Sequence, residues 1–301
     1  MQQSLSILIP TYNYDVSQLV LELHRQGIAS TIPFEITVYD DCSPTPVKRN
    51  NGINTLSNAT FTVLDKNIGR SAIRNKLAKD ANFDTLLFLD ADTEIIRADF
   101  LSQYLTALKP ESQIIYGGIT YQKEIPSPSE ILRWHYGHAR EALPVSERMK
   151  APHLRFLTLN FLIKKAVFDV LTFNEEIPNL RHEDTLFALD CKKNNINVAH
   201  IDNPVQHNGL ESSETFLRKS MESVEALHMF VKEGLIDANE TALSKKAASL
   251  KKSGIARFVL VFYKRAKNTM RSNLLSKKPS LRTFDVYRLG YYLELDTKKN
   301  A

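Results

Sequence analysis

The chain has 301 residues, 43% of them hydrophobic and 24% charged, with a formal net charge of +5. This is the composition of an ordinary globular protein with a large core, and no stretch approaches the roughly 18 apolar residues that would span a membrane. Two cysteines, Cys42 and Cys191, exclude a disulfide framework and suit a reducing compartment. The apolar run at Leu5–Ile9 follows no basic segment and is too short for a signal peptide, so a cytoplasmic protein is expected, with room for a peripheral place on the inner face of the membrane.

In chain order, Leu5–Ile9 reads as a strand and Asp15–Gln26 as a helix, with Val16, Leu19 and Leu23 on one face. Phe34–Tyr39 and Thr60–Leu64 read as strands, Ser71–Ala81 as a helix, Thr85–Leu89 as a strand, Ala98–Leu108 as a helix and Gln113–Tyr116 as a strand. This alternation predicts an α/β fold with a mostly parallel sheet and helices on both faces. Right-handed crossovers then bring every strand-to-helix loop to one rim. From Thr120 to Phe156 the pattern loosens around Trp134-His135-Tyr136, and it resumes as a strand at Leu157–Ile163. A helix over 184–194, a strand at Val198–Ile201 and a helix over 211–233 follow.

The rim loops carry the polar signatures. Asp90 and Asp92 leave the carboxyl end of the strand Thr85–Leu89 on the same side, because strand residues two apart share a face. Open α/β sheets bind ligands at that end. Two carboxylates there repel unless a cation lies between them, and a hard divalent cation carrying phosphate oxygens suits the pair. Asp40 and Asp41 precede Ser43-Pro44 and also suit a turn. Asp184 stands where a helix N-cap is expected.

Five segments in order resemble the inverting nucleotide-sugar glycosyltransferases of family 2, with the A-type glycosyltransferase fold. They are Ile7-Leu-Ile-Pro-Thr-Tyr-Asn13, Val38-Tyr-Asp-Asp-Cys-Ser43, Asn67-Ile-Gly-Arg-Ser-Ala-Ile-Arg-Asn75, Phe88-Leu-Asp-Ala-Asp92 and His182-Glu-Asp-Thr-Leu-Phe187. The resemblance implies a Rossmann-like domain with residues 1–119 as its nucleotide-sugar-binding half and 120–210 as its acceptor-binding and catalytic half. A helical basic extension, 211–301, would follow. It implies donor contacts from Pro10, Thr11, Asn13, Asp40, Asp41, Asn67, Gly69, Arg74, Asp90 and Ala91. Among these, Thr11 and the Asp40/Asp41 pair would hold base and ribose, while Arg74, near a helix N-terminus, would lie by the diphosphate. Asp92 would be the principal ligand of Mn²⁺ or Mg²⁺, with His207 beside it; an imidazole favours Mn²⁺. Asp184, next to Glu183, would be the general base. Trp134, His135 and Tyr136 fall in the segment expected to shape the acceptor site, and equally suit ordinary packing. The family usually has glycine where Cys42 stands, so a left-handed backbone there would be strained. The donor is expected to be a UDP-sugar, with GDP and dTDP sugars open. The acceptor is expected to be a glycan or lipid-linked glycan of surface polysaccharide synthesis.

Three other readings fit less well. A haloacid-dehalogenase-like phosphatase wants Thr or Val where Glu94 stands, and wants its motif on an early strand. A sugar-nucleotide-forming nucleotidyltransferase wants a Gly- and Lys-rich loop where Pro10-Thr-Tyr-Asn13 stands. A silent sugar-nucleotide or nucleic-acid binder is disfavoured because the basic tail lacks interleaved stacking aromatics beyond Phe258, Phe262 and Tyr263, so no nucleic acid partner is expected.

Charge is unevenly spread. Residues 241–284 hold 12 Lys or Arg and no acid, leaving the rest of the chain at −7. Within this tail Ile255, Val259, Phe262, Ala266 and Met270 recur at helical spacing, with Arg257, Lys264, Lys267 and Arg271 roughly opposite. Such a helix either docks on the body by its apolar stripe or lies on an anionic membrane surface through residues 245–282.

Overall fold

Strands Leu5–Thr11 (β1), Phe34–Asp40 (β2), Ala59–Val63 (β3), Thr85–Leu89 (β4), Thr93–Glu94 (β5), Ile114–Tyr116 (β6), Ile119–Thr120 (β7), Asn160–Lys164 (β8), Val198–His200 (β9) and Val205–His207 (β10) form two sheets. The computed structural model describes residues 3–45, 47–177 and 181–298. The larger sheet runs β3-β2-β1-β4-β8-β6-β9, and the smaller runs β5-β10-β7. β3, β2, β1 and β4 are mutually parallel, as are β6 and β9; β8 alone is inserted antiparallel, between β4 and β6. The chain winds outward from β1 to β3, then returns to β4 on the other side of β1. The rim between β1 and β4 is therefore a topological switch point, where ligands of such sheets bind.

The helices are Ser17–Ala29 (α1), Gly69–Asp80 (α2), Phe100–Ala107 (α3), Ile131–Tyr136 (α4), Val145–Arg148 (α5), Lys165–Phe168 (α6), Glu183–Lys193 (α7), Ser213–Lys232 (α8), Ala242–Lys252 (α9), Ala256–Leu274 (α10) and Leu281–Lys298 (α11). Alternate residues of the central strands supply two cores. Leu5, Ile7, Ile9, Leu87 and Leu89 pack with Leu19, Leu23 and Phe100 of α1 and α3. Leu8, Leu86 and Phe88 pack with Ile73, Leu77, Phe187 and Cys191 of α2 and α7. With both faces covered, β4 is buried along its whole length, which is why it reads as an unbroken apolar run.

The chain divides into two compact units. The sheet-bearing unit comprises residues 1–122, 141–179 and 183–209; the helical unit comprises 123–140, 180–182 and 210–301. In the helical unit Tyr263, Met270 and Leu274 of α10 pack with Leu217 of α8 and with Phe284 and Tyr287 of α11. Gly290 is required there: a Cβ on it would lie 2.3 Å from the Tyr263 ring.

That packing corrects the expected stripe on α10. Met270 is buried and Val259 and Ala266 are half-buried, but Ile255 and Phe262 stand exposed. Phe258 and Val261 are exposed beside them, and Tyr263 takes the inward position. Apolar residues occur nearly all round the first turns of this helix, so spacing alone could not fix which face turns inward. Among the described residues no helix is long and apolar enough to cross a membrane.

Candidate active site

The rim loops after β1, β2 and β4 meet α2, α7 and β10. At the first, Thr11 is buried at the end of β1, and Asn13 takes a left-handed φ of 52°, which asparagine tolerates. The Asn13 amide donates to Ser43 Oγ at 2.7 Å. Asp40 is fully buried, its two oxygens accepting from the Ser43 amide at 2.7 Å and the Ser43 hydroxyl at 2.9 Å. Asp41 accepts from the amides of Ile68 at 2.7 Å and Gly69 at 2.9 Å, while Asn67 donates to its carbonyl. Asp41 thus satisfies the amide that precedes α2 and the first amide within it. The pair is engaged in holding two loops, the turn role that its position before Ser43-Pro44 also suggested.

Cys42 between these acids has φ 58°, the left-handed conformation that glycine adopts without strain. The clasps of Asp40 and Asp41 on either side hold it there. Its thiol is half-buried; Cys191 is buried, its thiol pushed up to about 12 by burial, and both are free.

Arg74 of α2 is the hub. Its guanidinium is 7% exposed and meets Asp90 Oδ1 at 2.7 Å, Glu183 Oε1 at 3.9 Å and, across its face, the Phe173 ring at 5.6 Å. Burial alone would depress it, but the Asp90 and Glu183 charges hold it above its ordinary value. Its Nε–H is buried without a hydrogen-bond partner, so one strong donor is left over. Exposed Arg70 also reaches Glu183, at 3.6 Å. Next along α2, Asn75 ties the loop at Phe173 by paired bonds of 2.8 and 2.9 Å.

Glu183 and Asp184 open α7, so Asp184 lies inside the first turn and not at the cap position. Its Oδ1 accepts from the Thr185 amide at 2.7 Å and hydroxyl at 3.3 Å, and Oδ2 accepts no hydrogen bond from the described residues. Burial raises the pKa of both carboxyls; the Asp184 charge adds to the effect on Glu183, and the arginines oppose it. Two adjacent acids with raised pKa at the edge of a rim are a recurrent property of functional sites.

The second cluster is built by the small sheet. Antiparallel pairing of β10 with β5 sets His207 opposite Thr93, one residue beyond Asp92. His207 Nε2 is 3.3 Å from Asp92 Oδ2, and His207 Nδ1 is buried without a partner. The Asn208 amide donates to the Asp92 carbonyl at 2.8 Å. A Cβ on Gly209 would lie 2.4 Å from Asp92 Oδ2 and 2.7 Å from the His207 ring, so only glycine leaves this cradle intact. One carboxylate oxygen and one imidazole suit a borderline divalent cation. Two protein ligands fall short of the six oxygens or nitrogens such ions take, so donors from a ligand or water must complete the shell. Among the described residues no group of three or more His, Cys, Asp or Glu is placed to hold a metal alone.

Three neighbours escaped the sequence reading. Tyr14 has its phenol held above its ordinary value by burial and then by the Asp92 charge. Glu94 accepts from Asn208 at 2.9 Å, and the Tyr121 ring lies 5.4 Å from His207. The Glu94 and Tyr121 contacts depend on the return of β10 to β5 and β7, for which the glycine two residues after His207 is the one local signal; Tyr14 is brought near Asp92 by the pairing of β1 with β4. Pro10 and Ala91 flank the site half-buried. Trp134, His135 and Tyr136 lie on α4 of the helical unit, not in the sheet-bearing unit with the others. There Tyr136 packs against Phe216 and Phe284, while the Trp134 ring lies 4.4 Å from that of His138.

The glycosyl transferase family 2 model matches residues 6–169. No curated protein matches the sequence. Among solved structures, the mannosyltransferase PcManGT from Pyrobaculum calidifontis, in complex with GDP-Man and Mn²⁺, is 12% identical with a TM-score of 0.54, over 98% of this chain and 86% of that one. Mannosyl-3-phosphoglycerate synthase from Rubrobacter xylanophilus is 16% identical with a TM-score of 0.52, over 78% and 76%. S. aureus TarS 1–349 in complex with UDP is 16% identical with a TM-score of 0.50, over 99% and 92%. At these identities the likeness is one of fold, and that fold is the A-type glycosyltransferase fold.

Proposed function

The chain belongs to glycosyl transferase family 2, and from that premise we propose that it transfers a sugar, with inversion, from a nucleoside-diphosphate sugar to a hydroxyl of a glycan or lipid-linked glycan. A UDP-sugar is the proposed donor, and surface polysaccharide synthesis the proposed setting. The observation that carries the reading is the convergence at one rim of Arg74 Nη2 on Asp90 and of His207 Nε2 on Asp92.

Thr11, Asn13 and the loop braced by Asp40, Asp41, Asn67 and Gly69 are proposed to receive base and ribose. Asp92 and His207 would hold a divalent metal, Mn²⁺ or Mg²⁺, which when bound supplies positive charge to the leaving diphosphate. Arg74, fixed by Asp90 and Glu183, would set its positive charge against a phosphate oxygen of the donor. Asp184 Oδ2 takes the proton of the acceptor hydroxyl as that oxygen attacks the anomeric carbon. A raised pKa makes Asp184 a stronger base than an ordinary aspartate. One displacement inverts the anomeric centre, and no second carboxylate is needed to protonate a diphosphate.

A panel of UDP, GDP and dTDP sugars tests this by thermal shift with Mn²⁺, since a ligand of the native state raises the melting temperature by mass action. The stabilising donor should then yield a product of inverted anomeric configuration by NMR. Retained configuration, or synthesis of a nucleotide sugar from NTP and sugar phosphate, would overturn the reading.

A further inference from the structure

The outer face of α10 combines two features that a solvated helix lacks. Phe258 is 73% exposed, Phe262 57%, Ile255 49% and Val261 42%, all at the start of this helix. At about 100° per residue, Phe258 and Phe262 lie roughly 100–140° from the buried Tyr263. These side chains are therefore on the solvent side of a helix whose inner side is already packed, and they are not a core face awaiting closure.

The cations divide in the same way. Lys267 pairs with Glu294, Arg271 with Glu214, and Lys251 of α9 with Asp296. Arg257, Lys264 and Arg265, which flank the exposed aromatics, make no ion pair among the described residues. A groove of about 910 Å³ adjoins them, its lining including Arg257, Leu260, Val261, Lys264 and Tyr292. Apolar side chains and unpaired cations are thus interleaved on one convex surface. A nucleic acid would use the cations and the rings but leave Ile255 and Val261 in water. A second copy of the chain, docked by two-fold symmetry, would set Arg257, Lys264 and Arg265 against their own like charges. A lipid surface uses everything: the apolar tips enter the acyl boundary, and the cations meet anionic headgroups.

We propose that the α10 face formed by Ile255, Phe258, Val261 and Phe262, with Arg257, Lys264 and Arg265, is a reversible docking surface for an anionic lipid bilayer. The proposal stands apart from the transfer chemistry and does not depend on it. It differs from a simple basic-tail attraction in requiring the aromatics as well as the charges.

Sedimentation of the full chain with vesicles tests it. Vesicles of phosphatidylglycerol mixed with phosphatidylcholine should carry the protein down, and pure phosphatidylcholine should not. High salt should weaken binding. Phe258→Ala with Phe262→Ala should reduce partitioning at least 10-fold without lowering the melting temperature, because both side chains are exposed. Arg257→Gln, Lys264→Gln and Arg265→Gln should each lower it by about 5-fold, the effect of one interfacial charge. In Phe258→Trp, the indole fluorescence should shift to the blue on the anionic vesicles, which shows insertion. The proposal fails if wild type does not sediment, if neutral vesicles bind equally, or if the aromatic variant binds undiminished. Tighter binding to a single-stranded oligonucleotide than to the vesicles, or self-association abolished by the same aromatic variant, would overturn it in favour of the other partner.

Discussion

Charged groups in the two units are handled in opposite ways. At the rim of the sheet, Arg74 is enclosed by Asp90 and Glu183, and Asp40 and Asp41 are matched by amides and a hydroxyl before any ligand arrives. On α10 of the helical unit, Arg257, Lys264 and Arg265 stand beside exposed Phe258 and Phe262 and make no ion pair among the described residues. A charge taken out of water must be matched from within the protein. A charge left in water need not be, and remains available to a partner. The first arrangement is preorganised, so its loss damages both stability and chemistry. Loss of the second should damage association alone.

The largest expected effect is on Asp184. Asp184→Asn should keep donor binding and lower transfer by about 10²–10⁴-fold, the usual range for a lost general base, measured as released nucleoside diphosphate. Its melting temperature should not fall, because the ionised carboxylate is the form that burial disfavours. A folded pKa above the unfolded value gives stability that is present at low pH and lost as pH rises through the folded value. The mutant's stability relative to wild type should therefore grow as pH rises through that range and vanish below it. In the same window wild-type transfer should fail on the acid side at a pH above that of an ordinary aspartate. A destabilised Asp184→Asn would instead mean that the contact with Thr185 is what the residue supplies.

Next is Arg74→Met. Removing one partner of a buried ion pair costs about 3–5 kcal/mol, and the lower end applies because Asp90 reaches solvent. Urea unfolding should show that loss, and the charge change at Arg257→Gln should show none. If the two variants were equally stable, the contrast between the units would collapse. Smaller again is Gly290→Ala, which drives a Cβ into the Tyr263 ring. Overpacking of about 1–3 kcal/mol, offset by about 1 kcal/mol of helix propensity, should leave a net loss of about 1 kcal/mol.

Most of the sheet was legible because its strands alternate or run apolar between turn residues. Thr85–Leu89 was placed to the residue, and Asp90 and Asp92 followed from it. The antiparallel entry of β8 and the small sheet were not legible: strands of two or three residues carry no period, and their partners lie far along the chain. For the same reason the His207–Asp92 contact rests on resemblance alone, and Glu94 and Tyr121 carry no sequence signal of their own. Asp41 was placed on the right loop, but the amides it would satisfy could not be identified from sequence. On α10 the failure was one of phase, since apolar residues on both sides of a helix leave its inner face undetermined.

The proposed function requires that Asp92 and His207 supply two ligands of a metal site that a nucleoside diphosphate completes. Titration calorimetry of Mn²⁺ into the protein with and without UDP or GDP tests it most directly. Two ligands alone should bind Mn²⁺ weakly, and the nucleotide should raise that affinity by roughly 5–150-fold, with the same factor for nucleotide binding when Mn²⁺ is present. Asp92→Ala or EDTA should remove the coupling. Nucleotide binding of undiminished strength under both treatments would contradict the account.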